Sequence, residues 1–316
     1  MTVVDSRSEE PVFFQGGNEM LFGIHTHPSG GRRGIGAVII AGGDNVNAAM
    51  SRNRVGVRLA RDLASDGYDV LRFTYHGVGE STGLVESLHL HRPFTDDVIG
   101  ATRYLASRGL DCYVLIGSCF GSRTALSSAP LIPGTAGVVL LTPPSAGYDR
   151  SEAMAEWMAR TRTFGDYAKR GFSLAKLRDL FDRGKRQTYL QLFRKKCSAM
   201  CRKVLATMHL IRDARFEWVS PMLLGPLNAL VDRAVPVLFI FGTHDAWGDE
   251  FREAATGPLG QILSRGTETI DVVEDVPGIA HGLVRVSVQE AFLETTVAWM
   301  RERVPGALVS NVVARV

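Results

Sequence analysis

Residues 112–122 read Cys112-Tyr113-Val114-Leu115-Ile116-Gly117-Ser118-Cys119-Phe120-Gly121-Ser122. A short apolar, β-branched run ends in a Gly-x-Cys-x-Gly turn, and helix-length sequence follows. The stretch therefore predicts a strand, a sharp turn and a helix. Such a turn needs its glycines because the central residue holds a strained backbone and its neighbours pack too closely for side chains. The central side chain is then presented at a helix N-terminus. There the partial positive charge of the helix favours a thiolate on Cys119, and the Phe120 N–H points toward any oxyanion formed beside it. Ser118 and Ser122 are the turn and helix-start residues, not the presented one.

Outward from this turn, strand-length and helix-length segments alternate. Residues 12–14 and 20–25 read as a hairpin around Gln15-Gly16-Gly17-Asn18. Segments 36–40, 69–74, 137–141, 236–241 and 268–273 are strand-like, and 52–67, 94–109, 251–263 and 287–304 are helix-like. This alternation predicts an α/β fold: a mostly parallel sheet with helices on both faces. After Pro143-Pro144 the rhythm breaks, and 145–232 carries helical periodicity with few strand runs. Neither flank makes a complete sheet alone. The expected organisation is one discontinuous core, 11–144 with 233–304, a helical cap insertion at 145–232, and tails at 1–10 and 305–316.

Composition sets outer limits. The 316 residues are 45% hydrophobic and 22% charged with a formal charge of +3, which excludes a disordered charged chain and a collagen-like repeat. No apolar run reaches about 18 residues, so no membrane span is expected. The polar start, with Asp5, Arg7, Glu9 and Glu10, lacks the pattern of a secretory signal. Four cysteines without framework spacing fit a reducing cytoplasm. Cys197 and Cys201 read as helix packing, and His89 and His91 as loop histidines without a third ligand nearby in sequence. No metal or cofactor is expected. The small net charge conceals a block: 183–212 holds nine basic residues and no acid, leaving the rest of the chain at −6. Such a segment attracts acidic partners over roughly a Debye length of about 8 Å.

Two further positions complete a chemical set. Asp245 ends Gly242-Thr243-His244-Asp245 after strand 236–241, and His281 lies in Gly278-Ile279-Ala280-His281-Gly282 after strand 268–273. The chain order is nucleophile, acid, base: Cys119, Asp245, His281. Asp249 and Asp275 are the competing acids.

With these motifs in place, the sequence resembles the α/β-hydrolase superfamily over about 11–304. Phe73-Thr74-Tyr75-His76-Gly77-Val78-Gly79-Glu80-Ser81 is similar to that superfamily's Gly-x-Gly-x-Ser loop, with Thr74 where Asp is common and His76 where Arg is common. Pro11-Val12-Phe13-Phe14 is similar to bacterial hydrolases related to serine aminopeptidases. The resemblance implies that the catalytic base follows the nucleophile in sequence, which sets aside His25, His27, His89 and His91. It implies a cap over the strand ends. It also implies a second oxyanion donor within Ala41-Gly42-Gly43-Asp44, at the N–H of Gly43 or Asp44.

Cys at the nucleophile position is the main departure. It is shared with dienelactone hydrolases, polyhydroxyalkanoate synthases and carrier-protein acyl or aminoacyl transferases, all of which handle ester or thioester carbonyls. The expectation is covalent acyl transfer through acyl-Cys119. Simple ester or lactone hydrolysis is the alternative, and a non-covalent cyclase or inert scaffold is a third reading. The basic block, with Arg194, Lys195 and Lys196 at its centre, is expected to dock an acidic carrier protein or the phosphates of a CoA thioester. With only Tyr189 and Phe193 as interleaved aromatics, it does not suit nucleic acid.

Overall fold

In a computed structural model, the structure describes residues 8–29, 31–42, 52–85, 88–147 and 216–306. By internal contacts the chain divides into two compact units, Met1–Ser145 with Pro221–Val316, and Ala146–Ser220. Of the second unit the described residues are 146–147 and 216–220, where Ala146 and Val219 form an antiparallel bridge.

The first unit is built on an eight-stranded sheet in the order β1-β2-β4-β3-β5-β6-β7-β8. Its strands are β1 (Glu9–Gly16), β2 (Glu19–Thr26), β3 (Ile35–Ile40), β4 (Asp69–Phe73), β5 (Cys112–Ser118), β6 (Thr135–Leu141), β7 (Val237–Gly242) and β8 (Ile270–Val276). The β1–β2 hairpin and the β2–β4 pair are antiparallel, and β4 through β8 are parallel. The helices are α1 (Val55–Ser65), α2 (Thr95–Ser107), α3 (Phe120–Ser128), α4 (Pro221–Asp232), α5 (Ala246–Ala255), α6 (Pro258–Arg265) and α7 (Val286–Arg303).

The central strands are apolar throughout because both of their faces are covered. On one face Ile35, Ala37 and Ile39 of β3 join Val114 and Ile116 of β5, Val139 and Leu141 of β6, and Leu238 and Ile240 of β7. This period-two set packs on Leu59 and Leu63 of α1 and on Phe292, Trp299 and Met300 of α7. The alternate residues, Val38, Leu115, Val138, Leu140, Phe239 and Phe241, are buried on the opposite face, which carries α2, α3 and α5. Tyr68 ties the first layer together. Its hydroxyl donates to the carbonyls of Met300 and Val304 at 3.0 and 2.9 Å, so the start of β4 holds the end of α7. Burial pushes the Tyr68 phenol above its ordinary pKa.

Three boundaries differ from the sequence expectation. The segment 251–263 is not one helix: Gly257 and Pro258 separate α5 from α6, because Pro starts a helix more readily than it continues one. Residues 221–232 form α4, which packs on α3 and α6 and belongs to the first unit. Residues 9 and 10 lie in β1, with Glu9 ion-paired to Arg61 and Arg72. The basic block, including Arg194, Lys195 and Lys196, lies outside the described residues, as do Cys197 and Cys201. Among the described residues no helix is long and apolar enough to cross a membrane.

Removing the Tyr68 hydroxyl takes this donor from the Val304 carbonyl and leaves the Met300 carbonyl to the Val304 N–H. Tyr68→Phe is expected to lower unfolding free energy by about 1–2 kcal/mol, read as a lower urea midpoint at unchanged m-value.

Candidate active site

The strand order changes direction at β3. From β3 the chain first adds β4 on one side and then β5 on the other, and such a switch opens a crevice at the strands' C-terminal ends. Ile40 pairs with Gly117, so Ala41 and Gly42 run beside Ser118 and Cys119. A Cβ on Gly42 would lie 3.1 Å from the Ser118 carbonyl oxygen and 3.6 Å from Cys119 Cβ, which measures how closely the loop after β3 approaches the nucleophile.

Cys119 occupies the turn between β5 and α3 with φ 51° and ψ −114°. A non-glycine residue held there costs on the order of 1–3 kcal/mol, so the surroundings must enforce it. Its N–H donates to the Leu141 carbonyl at 2.9 Å, and its own carbonyl accepts from Ser122 and Arg123 at 3.1 and 3.3 Å. The Ser122 hydroxyl is shared between the carbonyls of Gly117 (2.8 Å) and Leu141 (2.9 Å). Both flanking glycines are required by close approach. A Cβ on Gly117 would sit 2.2 Å from the Gly121 carbonyl oxygen, and one on Gly121 would sit 2.4 Å from that of Ala41. The result is a half-buried thiol, in no disulfide, at the head of a helix whose N-terminus has no side-chain cap bond. Phe120 is the first residue of that helix, so its amide stands where the helix dipole is positive.

The structure brings His281 to this thiol. Its Nε2 lies 3.3 Å from Cys119 Sγ. The Trp247 ring flanks the imidazole at 5.8 Å between centroids. Asp245, almost fully buried, is the residue that holds the histidine loop. Its Oδ2 accepts from the amides of Gly242 (2.7 Å) and Ala280 (2.9 Å), and its Oδ1 accepts from the His281 amide (3.2 Å). Three backbone donors compensate a carboxylate that would otherwise be costly to bury. The register of β7 against β8 shifts between Ile240 and Gly242, a bulge that re-aims the chain just before Asp245. The competing acids are occupied elsewhere, since Asp249 bonds Arg252 and Asp275 lies within β8.

Of the expected oxyanion donors, Phe120 is placed as above, whereas Gly43 and Asp44 lie outside the described residues. Sequence reasoning passed over Tyr75. Its fully buried hydroxyl donates to the Ala41 carbonyl at 2.8 Å, and its ring packs edge-on against Phe120 and Phe94 at 6.0 and 5.0 Å. One side chain thereby touches both the loop after β3 and the residue that follows the nucleophile. Burial keeps this phenol neutral, far above its ordinary pKa. The only sequence signal was its position inside the loop 73–81. In that loop the Ser81 hydroxyl bonds Thr74 and the Phe22 amide, while His76 bonds Asp97 at 2.9 Å, so the departures at 74 and 76 have partners.

A thiol at a positive-φ turn, an imidazole within reach and a carboxylate fixing that imidazole's loop can together form and release an acyl-sulfur bond. Residues 38–293 match the Alpha/beta hydrolase family, which defines the class of protein. The chain belongs to that family. Among curated proteins no sequence matches. Of solved structures, it is similar to an esterase from Pyrococcus furiosus at 13% identity and TM-score 0.54, covering 93% of this chain and 91% of that one. It is also similar to a proline iminopeptidase from Mycobacterium smegmatis at 18% identity and TM-score 0.54, covering 93% and 98%. A Butyrivibrio proteoclasticus protein solved with ferulic acid bound aligns at 15% identity and TM-score 0.53, covering 93% and 99%. At these identities the likeness is one of fold.

Replacing Asp245 with Asn exchanges an acceptor oxygen for a donor that faces backbone N–H groups. Asp245→Asn is expected to reduce stability by about 1–3 kcal/mol and to lower turnover by at least about 100-fold, measured by urea denaturation and by steady-state kinetics on an activated ester.

Proposed function

We propose that this chain cleaves carboxylic esters or thioesters through an acyl-Cys119 intermediate. The observation that carries the reading is the 3.3 Å contact between His281 Nε2 and the thiol of a residue held at positive φ. In the first half-reaction His281 takes the Cys119 proton and the sulfur attacks the carbonyl carbon. The negative charge that moves onto oxygen is met by the Phe120 amide, with the Gly43 or Asp44 amide as the second donor. Collapse expels the alcohol or thiol, which leaves with the proton from His281. In the second half-reaction His281 deprotonates water, which attacks the acyl-sulfur carbonyl and regenerates the thiol. Asp245 keeps the histidine loop, and through it the imidazole, in place for both transfers.

Hydrolysis is the first reading because the family that residues 38–293 match is one of hydrolases. Transfer to a second thiol or an amine is the alternative, and the nucleophile itself favours it. Exchange between two thioesters is nearly isoenergetic, so an acyl-cysteine passes readily to another thiol. In that case 183–212, with Arg194, Lys195 and Lys196, supplies positive charge for an acidic carrier protein or for CoA phosphates.

Intact-protein mass spectrometry after brief incubation with a short acyl thioester is expected to show one acyl adduct that Cys119→Ala lacks. Persistence of the adduct in that variant removes the assignment. Turnover should fall by at least about 1000-fold in Cys119→Ala, and full retention of activity would select non-covalent chemistry instead. Faster acyl release with added thiol, together with an acylated thiol product, selects transfer over hydrolysis. Charge reversal at Lys195 and Lys196 is expected to raise KM for a carrier-bound acyl group and to leave a short thioester unaffected. An equal effect on both substrates would eliminate the docking role.

A further inference from the structure

At the end of the sheet opposite the nucleophile, side chains from three strands converge. His25 closes β2 together with Thr26, and His27 follows two residues on, so the two imidazoles share one face of the sheet. Glu10 of β1 is the register partner of His25, and Asp69 opens β4 one step beyond the Thr26–Val70 pair. One ligand atom from each of Glu10, His25 and His27 can be chosen so that all lie within 4.8 Å of one another.

The orientation of the rings gives this cluster its chemistry. The two imidazole rings lie with centroids 4.0 Å apart, their planes tilted by 41°. His25 Nε2 lies within hydrogen-bond distance of Asp69 Oδ1 at 3.2 Å, whereas His27 Nδ1, 4.0 Å from the same oxygen, lies beyond it. Asp69 is itself fixed by Arg32, whose Nε and Nη2 donate at 2.6 and 3.0 Å. The remaining nitrogens face other groups, with His27 Nε2 3.0 Å from Glu10 Oε2 and His25 Nδ1 3.2 Å from the Tyr104 hydroxyl. Tyr104 and Glu10 are neighbours, since the Arg108 guanidinium lies over the Tyr104 ring and bonds Glu10 Oε1 at 3.2 Å. A carboxylate that fixes the outer N–H of an imidazole leaves the other nitrogen with its lone pair, which is the state a metal ligand needs.

We propose that Glu10, His25 and His27 bind a divalent, borderline-soft cation of the Zn²⁺, Co²⁺ or Ni²⁺ class, with Asp69 as the outer carboxylate that orients the His25 imidazole. Two imidazoles and one carboxylate suit these ions better than Ca²⁺ or Mg²⁺, which take oxygen ligands. His27 Nε2 and Glu10 Oε2, hydrogen-bonded at 3.0 Å, need to part only to about 3.4 Å to stand about 2.1 Å from a common tetrahedral ion. His25 is fully buried and supplies a rigid anchor, while His27 and Glu10, at 38% and 43% side-chain exposure, give the ion a way in. Through β3, Asp69 is level with Tyr113, six residues before Cys119, which places the cation about 20 Å from the thiol. Its role is to join β1 to β2 beside the start of β4, not to act in catalysis. Arg108 is its competitor for Glu10.

The test uses the full chain in a Cys119→Ala background, so that the thiol and His281 offer no rival site. Melting temperature is followed against ZnCl2, and separately CoCl2, with EDTA as reversal. The expected result is a concentration-dependent rise that His27→Ala and Glu10→Gln abolish. Arg108→Gln, by removing the competing cation, is expected to shift the titration midpoint to a roughly two- to fivefold lower metal concentration, the equivalent of one exposed ion pair. The Co²⁺ adduct should lack a thiolate charge-transfer band. A rise of equal size in His27→Ala and Glu10→Gln, no rise with either metal, or an unchanged or weakened midpoint in Arg108→Gln would overturn the proposal. The Arg108 variant decides the matter if the others fail to fold.

Discussion

The backbone of Cys119 cannot hold φ 51° and ψ −114° by itself, and much of the site's architecture enforces that one conformation. Strand β5 lies between β3 and β6, and each neighbour supplies part of the restraint. The Leu141 carbonyl, at the end of β6, takes the Cys119 amide and one bond from the Ser122 hydroxyl. The Ala41 carbonyl, just past β3, lies so close to Gly121 that no side chain fits. Local strain of on the order of 1–3 kcal/mol is thus offset by bonds that exist only once three strands are in register.

The same parallel register delivers Asp245 and His281 to the thiol. Because β3 through β8 point one way, the loops after β3, β5, β7 and β8 open at one end of the sheet. The carboxylate after β7 grips the backbone after β8, and in doing so sets the imidazole beside the thiol. Tyr75 performs a related service on the other side, bonding the loop after β3 while packing on Phe120. The opposite end of the sheet has its own polar centre in Asp69, where two arginine nitrogens and two imidazoles meet one carboxylate.

Much of this was legible in the sequence, for reasons that can be named residue by residue. Gly-x-Cys-x-Gly after an apolar run marks a sharp strand-to-helix turn, and Asp245 and His281 follow strands at positions where loops begin. Helical periodicity was less informative. It identified 221–232 as helical without saying against what it packs, so α4 was assigned to the insertion although it rests on α3 and α6. A single amphipathic pattern over 251–263 also concealed the break at Gly257 and Pro258. The order of His25 and His27 relative to Cys119 says nothing of what their rings meet. Their partners, Glu10 and Asp69, come from two other strands.

By itself, then, the sequence determined the α/β alternation, the sharp turn at Cys119 and the identities of the groups around it, because each is a pattern within a few consecutive residues. Strand register, the loop geometry that lets Asp245 hold His281, the contact from Tyr75 to Ala41, and the meeting of Glu10, His25, His27 and Asp69 were decided only by tertiary structure. The pairing of Glu10 with His25 spans fifteen residues of chain, that of Asp245 with His281 thirty-six, and that of Cys119 with His281 a hundred and sixty-two. Distances of 3 Å across such spans are set by how whole strands pair and pack, which no local pattern encodes.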